Sequence, residues 1–232
     1  MATRLTQVVI DARDPRALAR FWADALGWTV VVDNPDEMEI GGGPDDVNLL
    51  FEPVASPSAA KSRAHLDLAP GADQAATVER LLALGARRVD VGQPADATWV
   101  VLADPEGNEL CVLRPGKYDE HTGPVAAICI NAEDPDALLE FWSAATGWGR
   151  SERGLRGERG PHLVFGGGRP GPKTAKNRVH LDVAPFDGDD QDAEVARLER
   201  AGARRIDVGQ GDVSWVVLAD PEGNELCVLT PR

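Results

Sequence analysis

Apolar and polar positions along this chain follow two periods, and the periods alternate in a fixed order. Residues 7–12 (QVVIDA) are apolar and rich in β-branched side chains, which predicts a strand. Asp14 before Pro15 predicts a helix N-cap and first helical position. Leu18, Phe21, Trp22, Ala25 and Leu26 then recur at spacings of three and four, giving one apolar helix face that stops at Gly27. Residues 28–33, 37–42 and 47–53 predict three short strands separated by turn formers. The order then restarts. Residues 64–69 (AHLDLA) predict a strand with His65 and Asp67 on one face and Leu66 and Leu68 on the other. Residues 73–85 predict a helix with an Asp cap and a Gly stop. Residues 86–92, 97–104 and 108–115 predict three more strands.

The whole series recurs in the second half, partly letter for letter. WVVLADPEGNELCVL runs from Trp99 to Leu113 and again from Trp215 to Leu229. GARRVDVGQ at 85–93 returns as GARRIDVGQ at 202–210, and AHLDLAP around His65 returns as VHLDVAP around His180. RDPRALARFWADALGW at 13–28 returns as EDPDALLEFWSAATGW at 133–148. The chain therefore predicts two α+β units, residues 1–115 and 125–232, each a βαβββ module written twice. Residues 116–124, rich in turn formers and charge, form the linker.

Composition narrows the partners. The net charge is −14, and both halves are acidic, so a nucleic acid is not an expected partner. No apolar run approaches the ~18 residues of a membrane span, and the N-terminus has no signal-peptide pattern. Three Cys without CxxC spacing argue against a disulfide framework or zinc ribbon, and a reducing cytoplasm is the expected location. The six Trp fall into matched pairs, which predicts core anchors, with Trp22 and Trp99 as candidate ligand contacts. Asp–Pro and Gly in DPEGN predict a turn, and the glycine triplets at 41–43 and 166–168 predict hairpins or a cavity rim. Lys173 to Arg178 (KTAKNR) places positive charge just before the second His strand, where it predicts a solvated loop or an anion-attracting cavity mouth.

Paired βαβββ modules, a first helix ending in FW…LGW, and a last strand preceded by DPEGN resemble the vicinal oxygen chelate superfamily, and within it the glyoxalase-like group. The resemblance covers nearly the whole chain, twice. It implies open, curved sheets enclosing a cavity, an internal pseudo-dimer, and a small-molecule ligand. It also implies up to four His, Gln or Glu ligands for a divalent metal. The implied activity is that of a lyase, isomerase or dioxygenase; the alternative is a non-catalytic binder like the bleomycin-resistance proteins.

Carried over residue by residue, the resemblance makes Gln7, seven residues before Asp14, a metal ligand, with Glu52 and His65 beside it. The second half has Ala127 and Gly166 where the first has Gln7 and Glu52, so the resemblance confines any divalent metal to one ion in the first unit, with no cofactor as the alternative. Where the family places its last Glu, this chain has Cys111 and Cys227. Both Cys are candidate ligand contacts or small buried fillers. The acids Glu109 and Glu225 come two residues earlier and share their strand face. His65 with Asp67, and His180 with Asp182, form same-face pairs suited to metal-free proton transfer, with Glu109 and Glu225 as accompanying acids.

Overall fold

The computed structural model describes residues 3–43, 46–58, 61–118, 122–166, 168 and 170–232; residues 119–121 of the linker and Gly167 of the second triplet lie outside them. Strand β1 (Arg4–Ala12) leads into helix α1 (Pro15–Leu26), followed by β2 (Thr29–Asp33), β3 (Met38–Gly41) and β4 (Asn48–Pro53). The second module is β5 (Ala64–Leu68), α2 (Gln74–Leu84), β6 (Arg87–Arg88), β7 (Val100–Ala103) and β8 (Glu109–Val112). The third is β9 (Val125–Ile130), α3 (Pro135–Thr146), β10 (Gly149–Ser151), β11 (Gly154–Arg156) and β12 (His162–Phe165). The fourth is β13 (Val179–Ala184), α4 (Gln191–Arg200), β14 (Arg204–Arg205), β15 (Val216–Ala219) and β16 (Glu225–Val228).

Local chemistry sets the boundaries. The Asp14 carboxylate accepts from the Ala17 backbone N–H at 3.0 Å, and Gly27 closes α1 at φ 71°, a conformation costly for any side chain. The strands expected over 86–92 and its copy shrink to β6 and β14, two residues each. Asp90 and Gln93 accept the backbone N–H groups of Gly92 and Val91, so side chains take the donors a longer ladder needs. Asp207 and Gln210 do the same in the second half.

The repeated DPEGN loops are scaffold. Buried Asp104 accepts from the Trp22 indole at 3.1 Å, from the Asn108 amide at 2.7 Å, and from the backbone N–H of Glu106 and Asn108. The Glu106 carboxylate then holds the backbone N–H groups of Arg13 and Asp14, ahead of α1. Asp220, Trp142, Asn224 and Glu222 repeat the arrangement. Trp22, expected as a ligand contact, is instead a core anchor: it is 1% exposed and its one donor serves Asp104.

The modules form two eight-stranded sheets, and neither belongs to one half. One runs β14-β15-β16-β13-β1-β4-β3-β2, and the other β10-β11-β12-β9-β5-β8-β7-β6. The first module thus pairs with the fourth through β1 and β13, and the second with the third through β5 and β9; both contacts are antiparallel. Within each module the first and last strands run parallel. Val8 and Ile10 of β1 face the helices and join the main core, while Gln7 and Val9 face the concave side.

Candidate active site: two unequal cavities

The cross-pairing decides which side chains meet. On the first sheet, Gln7 pairs with Asp182, and Asp182 with Cys227, so the three stand in one row across the strands. Val9 pairs with His180 on one side and Leu50 on the other, forming the next row. These rows line a cavity of about 740 Å³, closed further by Glu52, Lys176, Val208, Trp215, Glu225 and Leu229. On the second sheet the rows are Ala127–Asp67–Cys111 and Val164–Cys129–His65. Apart from Ala127, they line a smaller cavity of about 330 Å³, with Trp99, Glu109 and the linker residues Lys117 and Tyr118.

The metal set implied by the resemblance is therefore not assembled. Gln7 and Glu52 line the larger cavity with His180, while His65 lines the smaller one. The reason is topological: β5, which carries His65, pairs with β9 and not with β1. The backbones of Glu52 and Gln7 are also well separated along the strands. Glu52 stands level with Asp11, four residues along the strand from the Gln7 row, or on the order of 13 Å at strand rise.

Two other groups bring a His, an Asp and a Cys donor atom within 4.8 Å of one another: His65, Asp67 and Cys111, and His180, Asp182 and Cys227. In the larger cavity's group, part of the donor set is already engaged within the protein. Asp182 already accepts the Gln7 amide at 3.2 Å and the Cys227 thiol. Burial, the Asp182 charge and that hydrogen bond hold the Cys227 thiol far above the range where it ionises. The ammonium groups of Lys176 and Lys173 already press positive charge on His180.

What the group does offer is a buried proton site. His180 Nε2 lies 3.5 Å from Asp182 Oδ1, and both side chains are over nine-tenths buried. Burial, assisted by Lys176 and Lys173, lowers the His180 pKa to about 3, so the ring is neutral at ordinary pH. Burial raises Asp182 to about 7, against the pull of its Cys227 and Gln7 hydrogen bonds and with a push from Glu52. Gln7 and Cys227 are both served by Asp182, yet Asp182 Oδ1 and His180 Nδ1 have no hydrogen-bond partner. Buried polar atoms in that condition are a minority in folded proteins, and these two face the larger cavity.

Positive charge before β13 does reach the cavity, but it is not free for an anion. Lys176 pairs with Asp11 and stands 3.9 Å from Glu52, and Lys173 holds Glu225 at 2.6 Å. Cys111 and Cys227 pack in small apolar clusters under Trp99 and Trp215. Burial raises both thiols strongly, and Cys129 likewise.

The smaller cavity is narrowed by residues of the linker. Lys117 Nζ stands 3.8 Å from Asp67, and the Tyr118 ring lies on His162 with centroids 4.8 Å apart. Sequence reasoning placed both residues in a linker without a site role. The available signal was that Tyr118 is the only Tyr in the chain and has no copy in the other half.

Comparison with known proteins agrees with this architecture. The family described as a glyoxalase-like domain matches residues 7–113 and again 127–229. The crystal structure of glyoxalase I from Zea mays superposes with a TM-score of 0.69 at 15% identity, covering 99% of this chain and 92% of that one. A candidate dioxygenase from Bacillus subtilis gives a TM-score of 0.62 at 16% identity, covering 99% and 86%. At such identities the likeness is one of fold. A search of curated proteins gives no match. No helix among the described residues is long and apolar enough to cross a membrane.

Proposed function

The chain belongs to the glyoxalase-like domain family, and on that premise we propose that it is a small-molecule enzyme of the lyase or isomerase type whose working site is the larger cavity. The observation that carries this reading is the buried His180–Asp182 pair, with one unpartnered atom on each residue. Asp182, with its pKa near 7, exchanges a proton readily at neutral pH, which is the property a general acid–base group needs. The Gln7 amide holds Oδ2, which leaves Oδ1 to act. Neutral His180, 3.5 Å away, offers its ring nitrogen to the same proton.

A substrate with a carbonyl beside an acidic C–H fits this arrangement. The Asp182 carboxylate takes the carbon-bound proton, the electron pair moves onto the carbonyl oxygen to form an enolate, and the protonated carboxyl returns the proton to the same carbon or, in an α-hydroxy carbonyl compound, to the former carbonyl carbon as the hydroxyl proton passes to the other oxygen. No oxidant is consumed. Leu50, Val9 and Val217 line the cavity and keep bulk water from the pair.

Each cavity draws on both sequence halves, so units 1–115 and 125–232, joined by the linker 116–124, are proposed as copies of one ancestral domain working as an internal pseudo-dimer. His65, Asp67 and Glu109 are proposed as a second copy of the site, closed by the linker. The competing reading is a non-catalytic binder, supported by the apolar wall of Trp215, Val217 and Leu229 around an inert thiol. Deuterium uptake by NMR from heavy water into a panel of α-hydroxy and 1,2-dicarbonyl compounds separates the two. The enzyme reading expects uptake at the carbon next to the carbonyl, lost in Asp182→Asn. Uptake that persists in that variant, or is absent from the native protein, contradicts it.

A further inference from the structure

The two cavities differ most in the charge at their mouths. In the larger one, Asp36, Glu37 and Glu39 of the β2–β3 hairpin line the wall. Glu37 and Glu39 accept only from the neutral amides of Asn34 and Asn48, and no ion pair is formed by the three among the described residues. Glu37 lies near enough to Glu52 for its charge to help raise the Glu52 carboxyl, a like-charge contact that a cation would relieve. The lysines at this cavity are already engaged by Asp11, Glu52 and Glu225. Arg232 also lines the cavity but is exposed. Deeper in, Asp182 Oδ1 remains without a hydrogen-bond partner although its side chain is only 6% exposed.

The smaller cavity shows what occupies the equivalent space when the chain supplies it. Lys117 brings an ammonium to 3.8 Å from Asp67, the counterpart of Asp182. Tyr118 brings a ring, with Lys117 5.6 Å and Arg153 5.4 Å from its centroid. Arg153 belongs to the β10–β11 turn, the counterpart of the hairpin that carries the three acids. The larger cavity thus has carboxylates from a hairpin whose counterpart places a guanidinium over Tyr118, and open volume where the smaller has an ammonium and a ring.

We infer that the ligand of the larger cavity is an organic cation, an amine or guanidinium on an aromatic or aliphatic body. Its positive head faces Asp36, Glu37 and Glu39, and its body lies along Trp215, Val217 and Leu229. A cleft lined by one sign of charge with apolar walls concentrates the opposite charge. The inference rests on the larger cavity being the working site.

Three matched probes test it by calorimetric titration of the full chain: phenethylamine, 2-phenylethanol and 3-phenylpropionate. Phenethylamine is expected to bind about tenfold more tightly than either of the others, with the preference shrinking in 0.5 M salt, roughly three times the physiological ionic strength. The triple variant Asp36→Asn, Glu37→Gln, Glu39→Gln keeps the side-chain oxygens that accept from Asn34 and Asn48. It is expected to remove the preference while still binding 2-phenylethanol. Equal or tighter binding of the alcohol or the acid, lost when Leu50→Trp fills the cavity, overturns the cation class and leaves the cavity as the site. Absence of binding by all three probes, or binding unchanged by Leu50→Trp, overturns the cavity reading and the inference with it.

Discussion

The larger and smaller cavities share one wall and differ in the other. The shared wall comes from the fourth and second modules, which present the same series: His180 and His65, Asp182 and Asp67, Trp215 and Trp99, Glu225 and Glu109, Cys227 and Cys111. The differing wall comes from the first and third modules. There Gln7 faces Ala127 as its copy, Val9 faces Cys129, Leu50 faces Val164 and Glu52 faces Gly166. A duplicated chain has thus kept two copies of one wall, with a wide cavity against one and a narrower cavity, lined in part by Lys117 and Tyr118, against the other. The DPEGN sequence, identical in both halves, lies behind the sheets as scaffold. Identity between copies covers both the scaffold and the His–Asp wall, and the differences are what set the two cavities apart.

The largest expected break in the comparison is catalytic. Asp182→Asn should lower turnover by about 10²-fold or more, the usual weight of a positioned acid–base group. Asp67→Asn, its copy under the linker, should leave turnover within about twofold. Equal losses in both variants would mean that both cavities work.

Removing the plug sharpens the contrast next. Tyr118→Ala with Lys117→Ala should raise the number of 2-phenylethanol sites seen by calorimetry from one to two. It should also destabilise the fold by about 1–2 kcal/mol in urea unfolding, through the lost ring contacts. An unchanged stoichiometry would show that the linker does not close the smaller site.

A pH dependence follows from the buried pair. Asp182 is raised from 3.8 to about 7, so between those values the folded state binds the extra proton and stability falls as pH rises. His180 is lowered from 6.5 to about 3, so between those values the unfolded state binds the extra proton and stability rises with pH. The two slopes, each up to about 1.4 kcal/mol per pH unit, oppose one another where the windows overlap, from roughly pH 4 to 6.5. Asp182→Asn should unmask a rise with pH across that window, and His180→Gln a fall. Urea titrations at several pH values read both signs.

The smallest effect concerns the thiols. Cys111, Cys129 and Cys227 should resist iodoacetamide at pH 8 in the native protein and react on unfolding, because burial keeps them protonated. Rapid native labelling of Cys227 would place a thiolate in the larger cavity.

Much of the fold was legible in the sequence because its signals are local. Asp14 and Pro15, Gly27, and the Leu18–Phe21–Trp22–Ala25 stripe define α1 within one helix length. The alternation in AHLDLA put His65 and Asp67 on one face, and both line a cavity. Pairing between modules was not legible, since duplication offers each edge strand two near-identical partners. β1 meets β13 and β5 meets β9 only through the path of the folded chain, and no residue near Gln7 announces His180. The choice for Trp22 between core anchor and ligand contact was open for a related reason: its indole is claimed by Asp104, 82 residues away. The plugging role of Lys117 and Tyr118 was hidden because a turn-rich, charged stretch reads as a solvated linker.

The most direct measurement is a methyl-resolved NMR titration of the native protein with phenethylamine. The account predicts shifts at Val9, Leu50, Val217 and Leu229, which line the larger cavity, and none at Val101, Leu113 and Val164 around the smaller one. Shifts confined to the second set, or spread evenly over both, would contradict it.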